Sequence, residues 1–203
     1  MERTVNGAEV LLLGLGLGVR HAMDADHVVV VSTLLARERG LWRAARLAAL
    51  WGTGHTLAFL GVGLLVVLSG LQVPAAFERL AEVLVAVLLI GFGAAHVFGA
   101  RRPQGTGAQP VAVGVVHGLA GSAGVALLAA TTMPSPTLAV LYLLLVAFGT
   151  VVGMVVLTVV LSPPLAWTMR RQGVVKQTVV WVAGGLGILL GLWILLEPTL
   201  VGS

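Results

Sequence analysis

The sequence predicts an all-α polytopic membrane protein with about six transmembrane helices. Composition carries the first part of that expectation. Of 203 residues, 58% are hydrophobic and 10% charged, and the mean hydropathy is +1.04. A soluble domain carries about 25% charged residues, so too few are present here to cover a water-facing surface. Segment length carries the second part. Apolar residues gather into runs of about 20, the length of helix that crosses a bilayer core. None shows the alternation of a transmembrane strand.

Taken in order, the predicted spans are 10–35, 47–69, 80–100, 111–131, 138–161 and 178–196. Residues 1–9 include Glu2 and Glu9 but no basic n-region, and do not read as a removable signal peptide. The first loop carries Arg37, Arg39, Arg43 and Arg46, and the second runs over 71–79 with Pro74 and Glu78. The third covers 101–110, and the fourth is a turn around Met133, Pro134, Ser135 and Pro136. The fifth holds Pro163, Pro164, Arg170, Arg171 and Lys176. One transmembrane domain over 1–203 accounts for the chain.

Charge placement gives an orientation. Arg37, Arg39, Arg43, Arg46, Arg101, Arg102, Arg170, Arg171 and Lys176 make nine of the twelve Lys and Arg, all in loops one, three and five. The positive-inside rule puts those loops in the cytoplasm and both termini outside. The net charge of +4 therefore reads as topology and lipid contact, not as nucleic-acid binding. Trp42, Trp167, Trp181 and Trp193 fall near predicted helix ends and read as interfacial anchors. With no cysteine, disulfides, thiol relays and thiolate metal sites are excluded.

The halves share short matches. Gly18-Val19-Arg20-His21 corresponds to Gly114-Val115-Val116-His117 at an offset of 96, and Gly52-Thr53 to Gly149-Thr150 at an offset of 97. These offsets span three helices, so a 3+3 inverted repeat is expected. Gly14 with Gly18, Gly149 with Gly153, and Gly187 with Gly191 have the spacing that lets helix backbones approach closely.

The first span is interrupted by Arg20-His21-Ala22-Met23-Asp24-Ala25-Asp26-His27. On insertion scales Arg20, Asp24 and Asp26 together cost on the order of 8–10 kcal/mol at a helix centre. A structural reading pairs Arg20 with Asp24 one turn on and leaves Asp26 without a partner. In a regular helix His21, Asp24 and His27 fall within an arc of about 120°, with Asp26 well away from it. Either Asp26 orients a histidine from behind, or the helix breaks near Gly18 and Asp26 joins the others. All five histidines, His21, His27, His55, His96 and His117, lie in predicted spans. At about 1.5 Å per residue, His21 and His55 share a depth near mid-membrane. His27 and His117 share one nearer the cytoplasm, and His96 approaches the interface. Imidazole with carboxylate suits nickel, cobalt or zinc, less well copper or iron. Calcium and magnesium prefer oxygen alone. Candidate metal ligands are His21, Asp24, Asp26, His27, His55 and His117, with no prosthetic group implied.

His21-x4-Asp26-His27 resembles the H-x4-D-H signature of the nickel/cobalt transporter (NiCoT) family. Thr53-Gly54-His55-Thr56 is similar to that family's Thr-Gly-His-Ser element. His117-Gly118-Leu119-Ala120-Gly121-Ser122 is similar to a His-Gly-Leu-x-Gly-Ser stretch of its shorter, urease-accessory-type nickel permeases. The resemblance covers spans one to four and implies a secondary permease, not an enzyme, whose His/Asp motif recognises Ni2+ or Co2+. Family members commonly have eight helices with the signature on the second. Here it lies on the first, and the longer acidic element of full-length members is absent. No Walker A sequence or ATPase-sized loop is present, so transport would run on gradients or on a partner. A metal exporter, a membrane subunit of a larger importer, a metal sensor and an intramembrane metalloenzyme are the rival readings. The metalloprotease pattern H-E-x-x-H does not occur. Expected partners are a divalent metal ion and the bilayer of the cytoplasmic membrane. A second copy or a metallochaperone stays open.

Overall fold

A computed structural model of the chain describes residues 7–35, 41–71, 73–99, 108–119, 129–170 and 173–201. Among the described residues every regular element is helical. They are α1 (Gly7–His21), α2 (Ala25–Leu35), α3 (Leu41–Ser69), α4 (Ala75–Val97), α5 (Ala108–Gly118), α6 (Pro136–Arg170) and α7 (Val174–Val201). Residues 129–131 are also helical. Four helices are long and apolar enough to cross a membrane, over Trp42–Ser69, Ala75–Val97, Pro136–Thr168 and Val174–Glu197. The shortest has 23 residues, or about 34 Å at 1.5 Å per residue, enough for a bilayer core of about 30 Å.

The other two predicted spans are not single described helices. The first is split into α1 and α2 at Ala22–Asp24. There the Met23 N–H donates to the Arg20 carbonyl at 2.9 Å and the Asp24 N–H to that of His21 at 3.1 Å. These are three-residue bonds that tighten and end a helix. Val28 then donates to the Asp24 carbonyl at 3.1 Å and the helix restarts. A break near Gly18, one of the two alternatives, is not where the helix ends: it ends at Ala22–Asp24, with Gly18 inside continuous α1. The fourth predicted span begins as α5 and leaves helix after Gly118. Its residues 120–128 lie outside the described residues.

Four residues assigned to the fifth loop lie in helices instead, as do Arg43 and Arg46 of the first loop, in α3. Pro163, Pro164 and Arg170 lie inside α6, and Lys176 lies inside α7. Each proline removes one helical N–H, a loss that membrane helices accommodate through local adjustment and neighbouring groups. At Pro198 in α7 the compensation is visible. A proline there leaves the Ile194 carbonyl without its helical donor. The Arg79 guanidinium of α4 supplies Nη1 to the Ile194 carbonyl at 3.2 Å and Nη2 to that of Leu195 at 2.9 Å. The turn before α6 agrees with expectation. Ser135 Oγ accepts the Leu138 N–H at 3.2 Å, and Pro136 occupies the first helical position.

Packing is dominated by α4 on α7, α1 on α6, α5 on α3 and α3 on α6. Two of these crossings are built alike. A Cβ on Gly18 of α1 would overlap the Val146 carbonyl of α6, and one on Gly149 of α6 would overlap the Leu15 carbonyl of α1. In the other pair, a Cβ on Gly114 of α5 would overlap the Trp51 carbonyl of α3, and one on Gly54 of α3 would overlap the Val111 carbonyl of α5. Glycine lets each pair touch backbone to backbone. The equivalence corrects the register read from the sequence. Gly149-Thr150 takes the place of Gly54-His55, at an offset of 95, and not of Gly52-Thr53.

The polarity of the molecule is the reverse of a soluble domain. Leu12, Leu57, Leu65, Leu68 and Leu189 are exposed, while His27, His55 and His117 are buried. Trp42, Trp167, Trp181 and Trp193 are on the surface as well.

Candidate metal centre

The break in the first span places the chemistry. His21 is the last residue of α1, and Asp26 lies in the first turn of α2. His117 lies in the last turn of α5, and α3 contributes His55. Helix C-termini carry partial negative charge from unpaired carbonyls. The ends of α1 and α5 therefore each present a histidine together with a dipole that favours cations. The N-terminal end of α2 has the opposite polarity, which favours the Asp26 carboxylate.

His21, His27, His55 and His117 form one continuous cluster. Ring centroids are 4.6 Å apart for His21 and His27, 4.5 Å for His27 and His117, and 5.3 Å for both His21–His55 and His27–His55. His27, His55 and His117 are at most 2% exposed. The pairs expected from equal depth, His21 with His55 and His27 with His117, do meet. His21 Nε2 and His55 Nε2 share a hydrogen bond at 3.3 Å.

Each carboxylate holds imidazole. Asp24 Oδ2 accepts from His21 Nδ1 at 2.9 Å. Asp24 therefore pairs with His21 and not with Arg20, whose side chain is exposed. The carboxylate of Asp24 is 42% exposed, the most open of the group. Asp26 Oδ1 accepts from the His27 backbone N–H at 2.9 Å and from His27 Nδ1 at 3.1 Å. Its Oδ2 lies 3.0 Å from His117 Nε2, at ion-pair distance but without a hydrogen bond's alignment. Asp26 thus touches two rings, that of His27 beside it in the first turn of α2 and that of His117 on α5.

Proton bookkeeping shows what this arrangement can do. A neutral imidazole has one N–H and one lone pair. Where Nδ1 of His27 donates to Asp26, Nε2 is left with the lone pair, and that buried atom has no partner. Likewise His55 Nδ1 and His117 Nδ1 are buried without partners. Buried polar atoms are normally satisfied. A carboxylate on one ring nitrogen with an open lone pair on the other is how proteins orient histidine toward a metal ion. Among the described residues, ligand atoms able to hold a metal ion fall into two triads, His21 with His27 and His55, and Asp26 with His27 and His117. Atoms within each triad lie within 4.8 Å of one another. Asp24 stands behind His21 and belongs to neither. His96 is buried in α4 and also belongs to neither.

One neighbour was not singled out by the sequence motifs. Trp51 of α3 is fully buried, with its ring 5.3 Å from His27 and 5.7 Å from His117. Its signal is the four-residue step from Trp51 to His55, which puts both on one helix face.

No protein-family model and no solved structure matches the chain. The chain is similar to the urease accessory protein UreH of Bacillus sp. (strain TB-90), at 29% identity over 182 residues, covering 80% of each protein.

Proposed function

We propose that the chain is a secondary permease that carries Ni2+ or Co2+ across the cytoplasmic membrane. The observation that carries the reading is the buried meeting of His21, His27, His55 and His117 with Asp26, where several imidazole nitrogens are left without partners. Nitrogen with carboxylate suits divalent first-row metals. Burial among apolar helices suits a site reached from within a membrane. The relative's name agrees with the urease-accessory-type permeases that the His117 stretch resembles. In this reading His21, His27, His55, His117 and Asp26 contact the ion, and Asp24 orients His21.

The chain crosses six times, with the two halves related as an inverted repeat. The paired crossings of α1 on α6 and α5 on α3 support that relation, as does the contact of α4 with α7. Both termini lie outside, on the charge placement of the loops. Alternating access then arises from one half rocking on the other.

Purified protein in liposomes loaded with a metal-responsive dye tests the proposal. Uptake of Ni2+ or Co2+ is expected without any partner protein. His21→Ala, Asp26→Asn and His55→Ala each abolish it while the protein stays in the membrane. Wild-type uptake by all three variants overturns the proposal. Metal-dependent turnover of a substrate without ion flux does so as well.

A further inference from the structure

The two triads cannot both belong to one ion as they stand. Opposite nitrogen ligands about 2.1 Å from a metal are at most about 4.2 Å apart. The ligand atoms divide into His21/His27/His55 and Asp26/His27/His117, and no larger set holds together among the described residues. His27 is the only member of both. Its ring stands between the others, 4.6 Å from His21 and 4.5 Å from His117, whereas His55 and His117 are 6.0 Å apart.

The two positions differ in character. The first offers three neutral nitrogens. The second offers two nitrogens and a carboxylate, so it carries one negative charge against the dication. Asp26 is placed to take part in both. Through Oδ1 it holds His27 Nδ1 and leaves Nε2 open, as an orienting carboxylate does. Its other oxygen faces His117.

We infer that a single ion occupies two successive positions that share His27, and that Asp26 orients His27 at the first and ligates the ion at the second. Movement between them exchanges His21 and His55 for Asp26 and His117 while His27 stays bound. The ion is never released into apolar surroundings, where a bare charge is very costly. Because His27 is common, filling one position empties the other. This inference rests on the permease reading.

Co2+ is the probe, since its visible absorption reports ligand type and number. In calorimetry the purified full chain binds one Co2+. His117→Asn and His55→Asn each still bind one ion, with affinity lowered by about 10-fold or more. Their spectra differ, His117→Asn showing the three-nitrogen set and His55→Asn the set with carboxylate. Neither variant sustains liposome uptake. Rapid mixing of Co2+ with the unaltered protein needs no substitution and is expected to give two successive absorbance phases. Two ions bound at once, identical spectra in the two variants, or a single phase at every concentration overturns the shared-ligand inference. If those results come with wild-type uptake intact, the permease reading stands. If the unaltered protein neither binds nor carries Co2+, both fail.

Discussion

The crossing of α1 on α6 and the crossing of α5 on α3 are packed by the same device and do different chemistry. In each, glycines seat one helix against the carbonyls of the other. At the equivalent positions one crossing has His55 and the other Thr150. His55 meets His21 through Nε2 and leaves its buried Nδ1 without a partner. Thr150 closes on itself by donating Oγ1 to the Val146 carbonyl at 2.8 Å. Close packing and ligand supply are therefore separable properties of this fold. Glycine decides how near the helices come, and a single side chain at the contact decides whether the place can hold an ion.

Substitutions that break the comparison should fall in a clear order. His27→Ala removes the ring common to both triads, and liposome uptake is expected to drop to that of empty vesicles. Uptake above one-tenth of wild type would separate the cluster from transport. Acidification comes next. Protonated imidazole has no lone pair to offer, and free histidine takes up its second proton near about pH 6.5. Uptake at limiting metal is expected to fall as the pH is lowered, as measured at fixed ion concentration without a proton gradient. Gly18→Val and Gly114→Val test the shared device. Each forces a side chain into a backbone carbonyl, and each is expected to cost at least about 1–3 kcal/mol by thermal unfolding in detergent. A large effect at one glycine and none at the other would mean that the crossings are not equivalent. Thr150→Val sharpens the contrast with His55. It loses one local hydrogen bond, worth about 1 kcal/mol or less, and metal affinity by calorimetry is expected to stay at the wild-type value.

A smaller test lies away from the centre. Arg79→Leu removes the donors that meet the Ile194 and Leu195 carbonyls, so α7 should lose about 1–3 kcal/mol in the same unfolding assay. Restoring a helical N–H with Pro198→Ala should recover part of that loss. Recovery is the specific outcome, because a leucine that merely misfits would not be rescued by a change on the other helix.

Much of the site was legible in residue types and spacing. His21, Asp26 and His27 stand out because apolar segments seldom carry such groups, and equal depth paired His21 with His55 and His27 with His117. Trp51 was not legible as a neighbour, since a tryptophan in an apolar run is ordinary until its ring is seen against His27. The Arg20–Asp24 pair failed for a local reason. It assumed an unbroken turn, whereas the chain leaves helix at Ala22 and gives Asp24 to His21.

The eight residues from Arg20 to His27 were enough to call for a break or a division of roles, because a regular helix cannot turn Asp26 and His21 toward one place. Composition and run length likewise settle that the chain is helical and apolar, since both follow from what each residue gains or loses in water and lipid. Where the break falls is another matter. It depends on Gly18 being taken up in the α1–α6 crossing, on the turn that ends α1 at His21, and on α3 and α5 bringing His55 and His117 alongside. Those are contacts between segments far apart in the chain, and local preference carries no record of them. Whether Asp26 stands behind a histidine or beside an ion is decided there too, by a carboxylate with one oxygen on His27 and the other toward His117.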